Sequence, residues 1–152
     1  MKDSSKNEYI NDDYQYIYSK LLNLLMYNGK KNIARKIIDK ALDTALLKVN
    51  ESSKKKILVK AILNAAPDIE IKSRRVGSSV YQVPIPLDSF RKLNFGIRFI
   101  LEASRGRKEY KMIDKFSLEI IDAYNNKGLA IKKKDDLHKL GEANKSFSHF
   151  NW

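Results

Sequence analysis

A chain of 152 residues, 43% of them hydrophobic, has the size of one domain with a real core, and its formal net charge of +12 points to a polyanionic partner, either nucleic acid or an anionic membrane surface. The absence of cysteine excludes disulfides, cysteine zinc sites and thiol catalysis. No apolar run approaches the roughly 18 residues of a membrane helix, and the early acids make the N-terminus neither a secretory signal nor a typical transit peptide.

The charge is unevenly placed. Residues 1–13 sum to −2, residues 14–68 to +7, residues 69–111 to +6 and residues 112–152 to +1. Residues 1–13 therefore read as a flexible polar segment, and 14–152 as a single folded domain. Asp12 or Asp13 is the expected N-cap of a first helix. That helix carries Ile17, Leu21, Leu24 and Leu25 at helical spacing and ends at Asn28-Gly29, with Gly29 as the expected left-handed C-cap residue. A second helix follows Lys30-Lys31, with Ala34, Ile37, Ile38, Ala41, Leu42 and Ala45 on its apolar face. After the turn Asn50-Glu51-Ser52-Ser53, a third helix turns Ile57, Leu58, Ala61, Ile62 and Ala65 inward. Lys54, Lys55 and Lys56 crowd its start, the unfavourable end of the helix dipole for cations. Pro67 stops it.

Residues 69–84 are the one stretch that reads as strand. Ile69, Ile71 and Ser73 alternate with Glu70, Lys72 and Arg74, and Gly77-Ser78-Ser79 supplies a turn. Val80-Tyr81-Gln82-Val83 resumes the strand, and Pro84 and Pro86 are expected to end it. A two-stranded ribbon carrying Lys72, Arg74 and Arg75 can reach into a groove or along a phosphate backbone. Tyr81 is a base-stacking candidate on it.

Asp88 or Ser89 then caps a fourth helix with Leu93, Ile97, Ile100 and Leu101 inward and Arg91, Lys92, Arg98 and Arg105 as its cations. Gly96 within it costs about 1 kcal/mol relative to Ala unless close packing requires it. A fifth helix uses Met112, Ile113, Phe116, Ile120, Ile121 and Tyr124 and is expected to end at Asn126-Lys127-Gly128, and Lys132-Lys133-Lys134-Asp135-Asp136 is the expected opening of a sixth, continued by Leu137, Leu140, Ala143 and Phe147. The fold class is thus mainly α, a six-helix bundle-like domain with one β-hairpin arm between helices 3 and 4.

No catalytic constellation accompanies this framework. His138 and His149 fall on the expected last helix without a metal-ligand spacing, and Gly29-Lys30-Lys31 lacks the other residues of a phosphate-binding loop. The paired acids Asp12-Asp13 and Asp135-Asp136 read as helix N-terminal residues. No enzyme activity, cofactor or metal is expected, which leaves binding.

Four blocks resemble a known family. They are Gly29-Lys30-Lys31 with Ile37-Ile38 and Ala41; Glu70 to Pro84; Gly128 to Lys133; and His138 with Glu142 to Trp152. In this order and spacing the chain resembles the bacterial-type small-subunit ribosomal protein seven family over residues 15–152. The resemblance implies a protein of the ribosome that binds the 3′ major domain of small-subunit rRNA and organises assembly of the subunit head. It implies neighbouring head and platform proteins, with the hairpin near mRNA and exit-site tRNA, and no membrane partner. The expected RNA-binding residues are Lys30, Lys31, Lys72, Arg74, Arg75, Gln82 and Arg91, supported by Arg98, Arg105 and Lys132. Heavy use of Lys, Asn, Ile and Tyr fits an AT-rich genome, such as that of an organelle or a reduced bacterium; an organellar ribosome, mitochondrial or plastid, is favoured, with the bacterial cytoplasm as the other possibility. Two features depart from the family: the acidic start and Lys54-Lys55-Lys56. An architectural DNA-binding protein with a basic β-arm is the alternative, and an RNA-modifying enzyme is a weaker one for want of catalytic residues.

Overall fold

A computed structural model describes the backbone of residues 3–150 and the side chains of residues 14–150. Among the described residues, six α-helices and a closing 3₁₀ turn accompany one two-stranded antiparallel hairpin. In chain order these are α1 (Asp3–Leu25), α2 (Lys31–Val49), α3 (Lys54–Ala65), β1 (Ile69–Val76), β2 (Ser79–Pro86), α4 (Ser89–Arg105), α5 (Met112–Tyr124), α6 (Gly128–Ala143) and the 3₁₀ turn (Lys145–Phe150). The mainly helical class and the hairpin between the third and fourth helices are as expected. Asn151 and Trp152, which close the fourth family-like block, lie outside the described residues.

The helices form because their apolar residues recur on one face. Ile17, Leu21 and Leu25 of α1 are buried at four-residue intervals. The small residues Ala34, Ala41 and Ala45 of α2 are buried beside Ile38 and Leu42. The core is one buried cluster fed by all six helices, with Phe116 and Ile120 of α5 fully enclosed in it. Asn28 and Gly29 both adopt left-handed conformations, at φ 49° and 73°, and the Lys30 N–H donates to the Tyr27 carbonyl at 3.0 Å. They therefore form a tight turn beyond α1 rather than its cap. Asn50, at φ 51°, ends α2.

Four further expectations about the elements are corrected. Asp12 and Asp13 do not cap α1, because the helix runs through them from Asp3; their side chains lie outside the described residues. Pro84 and Pro86 do not terminate the second strand but sit within β2, opposite Ile71 and Ile69. Both strands of a two-stranded sheet are edges, so a missing N–H can point away from the ladder. α5 stops at Tyr124 and α6 begins at Gly128, where α5 is expected to end and before the lysine run, so Asp135 and Asp136 are mid-helix. Beyond Ala143 the chain tightens into the 3₁₀ turn, which puts His149 on a different element from His138.

The early start of α6 has a local cause. Glu119 of α5 is fully buried, and its Oε1 accepts the Ala130 N–H at 2.9 Å, satisfying one of the free donors at the helix start. Gly128, at φ 93°, makes the approach possible: a Cβ there would lie 2.9 Å from Asp122 Cβ and 3.1 Å from Glu119 Oε1.

Gly96 is explained by packing against α3. A Cβ on it would lie 2.7 Å from the Ile62 carbonyl oxygen and 3.3 Å from the Ala66 Cα. Helix propensity favours Gly96→Ala by about 1 kcal/mol, whereas overpacking costs about 1–3 kcal/mol. Backbone cannot yield as a side-chain tip does, so the clash dominates. Gly96→Ala is expected to lower the urea midpoint by the equivalent of up to about 2 kcal/mol at unchanged slope; a higher midpoint would show that α3 and α4 separate freely.

Candidate nucleic-acid interface

The hairpin turns through two residues, Gly77 and Ser78, with Val76 paired to Ser79 and Gly77 at φ 63°. A positive φ at the first loop position matches the turns whose twist suits paired strands. Register fixes the two faces. Glu70, Lys72 and Arg74 share one face with Ile85, Val83 and Tyr81; Ile71, Ser73 and Arg75 share the other with Pro84, Gln82 and Val80. The charged member of the alternation is the buried one at the ribbon's root. Glu70 is only 6% exposed, while Ile69 and Ile71 are half-buried.

Glu70 is enclosed because it has partners. Arg91 Nη2 donates to its Oε2 at 2.7 Å, and the Lys72 ammonium lies 2.9 Å from its Oε1, a charge contact without hydrogen-bond geometry. Arg91 is held in turn by its helix, since its backbone N–H donates to the capping carboxylate of Asp88 at 3.0 Å. A second strap pairs Lys92 of α4 with Asp68 at 2.7 Å, and the Asp68 N–H donates to His138 Nε2 of α6 at 3.0 Å. Gly141 of α6 lies directly beneath Ile69 and Pro84, so the arm's root is wedged against α6. Towards the tip, exposed Arg75 donates from Nε to the Gly77 carbonyl at 3.2 Å, Gln82 is exposed, and the buried Nε of Arg74 has no partner.

Tyr81 is not a free stacking platform. Its ring centroid lies 5.0 Å from that of Phe147 and 5.2 Å from that of Phe150, so the 3₁₀ turn is docked on the ribbon. His149 packs against Phe150 with ring centroids 4.0 Å apart.

Along α4, Arg91, Arg98 and Arg105 recur every seven residues and so line one face, drifting about 20° per step. A polar recess of about 190 Å³ between Arg91 and Arg98 is completed by Lys20 of α1, Asn94 and Phe95. Tyr16 donates to Asn94 Oδ1 at 3.0 Å and fixes that amide. Farther along, Arg105 Nη2 donates to the Leu24 carbonyl at 3.1 Å and its guanidinium sits 5.7 Å from the Tyr27 ring. A second recess, lined by Leu24, Leu101 and the acid Glu102, joins Arg98 to Arg105, and a third, largely apolar one joins Arg105 to Lys30. Lys72, Arg91, Arg98, Arg105 and Lys30 thus form one basic track from the hairpin root to the start of α2. Lys31 is exposed at the first position of α2. Arg74, Arg75 and Gln82 stand apart on the arm. Lys132 is exposed on α6 beside Lys133, which is paired with Glu102 at 2.5 Å, and it does not line the track. Lys20, Asn94 and Glu70 belong to the site although sequence alone did not single them out; only tertiary packing brings α1 and β1 against α4.

Other cations are internally engaged. Lys54 pairs with Asp43, a contact that raises its pKa, and Lys55 lies 5.4 Å from the Tyr14 ring. Two lysines of the run at the start of α3, Lys54 and Lys55, therefore have partners within the fold. Among the described residues no group of three or more potential metal ligands occurs, and no helix is long and apolar enough to cross a membrane.

The family description "Ribosomal protein S7p/S5e" matches residues 2–145. The chain belongs to this family. It is 43% identical to small ribosomal subunit protein uS7 of Afipia carboxidovorans, over 98% of this chain and 97% of that one. It is 44% identical to uS7 of Geotalea uraniireducens over 90% and 86%, and 46% identical to uS7 of Pelobacter propionicus over 88% and 85%. The relatives are structural proteins of the small ribosomal subunit and not enzymes, so the protein is a ribosomal one with a role in translation. These relatives are bacterial, and the preference for an organellar ribosome gains no support from them.

The strap at the arm's root is pH-dependent. The hydrogen bond from Lys92 holds the Asp68 carboxyl below the usual carboxylate range. A pKa lower in the folded than in the unfolded chain gives stability that is present above the unfolded value of about 3.9 and is lost as pH falls through the folded value. Asp68→Asn is expected to flatten the fall in denaturation midpoint on acidification from about pH 5 to about pH 3. A fall as steep as that of the unsubstituted protein would remove Asp68 from the acid response.

Proposed function

We propose that this protein binds the 3′ major domain of small-subunit rRNA and organises the subunit head, with its hairpin directed towards mRNA and exit-site tRNA beside neighbouring head and platform proteins. The single observation that carries the RNA reading is the alignment of Lys30, Arg105, Arg98, Arg91 and Lys72 into one track on a rigid helical surface. Such a track neutralises successive phosphates and releases their counterions. Guanidinium groups add directional, two-pronged hydrogen bonds to phosphate. Folded RNA offers junction shape rather than a readable deep groove, which suits a rigid surface with a projecting arm. Arg74, Arg75 and Gln82 are the arm's contacts, Lys31 extends the track at the start of α2, and Lys132 makes a separate contact from α6.

Residues 1–13, net negative, contribute little to RNA affinity in this reading. The folded unit that binds is 14–152. The protein's place is the ribosome; the AT-biased composition suits either a bacterial or an organellar genome.

Replacing both Arg74 and Arg75 by Ala is expected to weaken binding to a transcript of the 3′ major domain and to reduce the salt slope by about one to two. Unchanged affinity and slope would remove the arm from the interface. Preference for duplex DNA over the junction RNA would favour the architectural alternative. Deleting residues 1–13 should change RNA affinity by less than about tenfold, roughly 1.4 kcal/mol; a larger loss would assign RNA contacts to the acidic start.

A further inference from the structure

We infer that Glu70 is a positioning residue that holds Lys72 and Arg91 together as a clamp for a single backbone phosphate of the bound RNA, an inference that rests on the RNA reading above. A carboxylate on an RNA-binding face is, by charge alone, unfavourable for a polyanion. Three features of Glu70 argue that it is there for arrangement. Its side chain is buried at the junction of β1 and α4, where an unpaired charge would be costly. Its two oxygens hold cations from two elements: Arg91 of α4 on Oε2 and Lys72 of β1 on Oε1. Both cations remain about half-open to solvent, at 49% and 41% side-chain exposure, so each keeps N–H groups free for a ligand.

The geometry explains why a carboxylate improves an anion site. Lys72 and Arg91 alone would repel each other and splay. A negative charge between them cancels that repulsion and restricts two long side chains that otherwise lose rotamer freedom on binding. Asp88 fixes the backbone of Arg91 from the other side. The clamp continues along the track, because Arg91 also lines the recess with Lys20 and Arg98. The phosphate seated there anchors the RNA backbone at the point where the arm leaves the helical body.

The test is the charge-neutral, nearly isosteric Glu70→Gln in the full chain, titrated with a transcript of the 3′ major domain across about 50–200 mM salt. Simple electrostatics predicts tighter binding, since the protein gains net positive charge. Positioning predicts the reverse: binding weaker by about tenfold and a salt slope smaller by about one. Thermal unfolding of the free variant separates loss of fold from loss of the clamp. A second measurement stands apart from Glu70. If Lys72 and Arg91 hold one phosphate, the Lys72→Ala and Arg91→Ala losses are non-additive, and the double variant binds about as weakly as the worse single one. Tighter or unchanged binding by Glu70→Gln, or full additivity of the two cation variants, overturns the clamp while leaving RNA binding intact. Failure of the unsubstituted protein to bind the transcript in a salt-dependent way overturns both the clamp and the RNA reading.

Discussion

The fold depends on one buried carboxylate. Glu119 sits on α5 with no solvent exposure, where an isolated charge would be untenable. Arg107 Nε donates to its Oε2 at 2.7 Å, and the other end of the same guanidinium pairs with Asp122. These acceptors keep the Arg107 pKa raised despite burial, which acts in the opposite direction. The remaining oxygen of Glu119 receives the start of α6 through the Ala130 N–H. One carboxylate thus ties the α4–α5 connection, the middle of α5 and the first turn of α6. Removing one partner would leave a buried charge uncompensated, at a cost of about 3–5 kcal/mol. The consequence reaches the hairpin, because α6 is the wall against which Gly141 and His138 seat its root.

That constraint also separates what was legible in the sequence from what was not. α2, α3 and α4 were readable because their apolar residues repeat at helical spacing and because Asn50, Pro67 and Asp88 punctuate them. The hairpin was readable from its alternation and its glycine turn. The start of α6 was not, because its cap is contributed by Glu119, nine residues upstream of Gly128 on another helix, whereas the lysine–aspartate run offered a local imitation of a helix start. Pro84 and Pro86 misled for a related reason. A proline ends a strand only where the ladder needs its N–H, and register in a two-stranded ribbon is a tertiary fact. The cations of the site were readable as residue types. Their grouping was not, since Lys20 and Arg98 are 78 residues apart in the chain and meet only because α1 packs on α4.

Pairing within the fold sorts the basic residues. Lys54, Lys92, Lys133 and Arg107 each meet a carboxylate, and Lys60 lies 3.9 Å from the Tyr124 ring. Such contacts use charge for internal attachment, each exposed pair contributing little stability in water. Net charge therefore overstates the surface available to a polyanion. The informative cations are those whose internal contacts leave N–H groups outward: Arg105 spends one donor on the Leu24 carbonyl, and Arg75 spends its Nε on the turn. Each is oriented by the protein and still open to a ligand.

The same principle governs the arm. A two-stranded ribbon alone is only marginally stable in water. This one is fixed at its root by the Glu70 and Asp68 straps to α4 and by Gly141 of α6, and midway by Tyr81 against Phe147 and Phe150. The aromatic ring that looked available for a base is thus committed to stiffening its own support. A stiff arm reaches a defined place with little ordering cost on binding, whereas a loose one would give up part of each phosphate contact to the entropy of being held. Docked on the two phenylalanines, the tyrosine instead fixes the ribbon that carries Arg74 and Arg75.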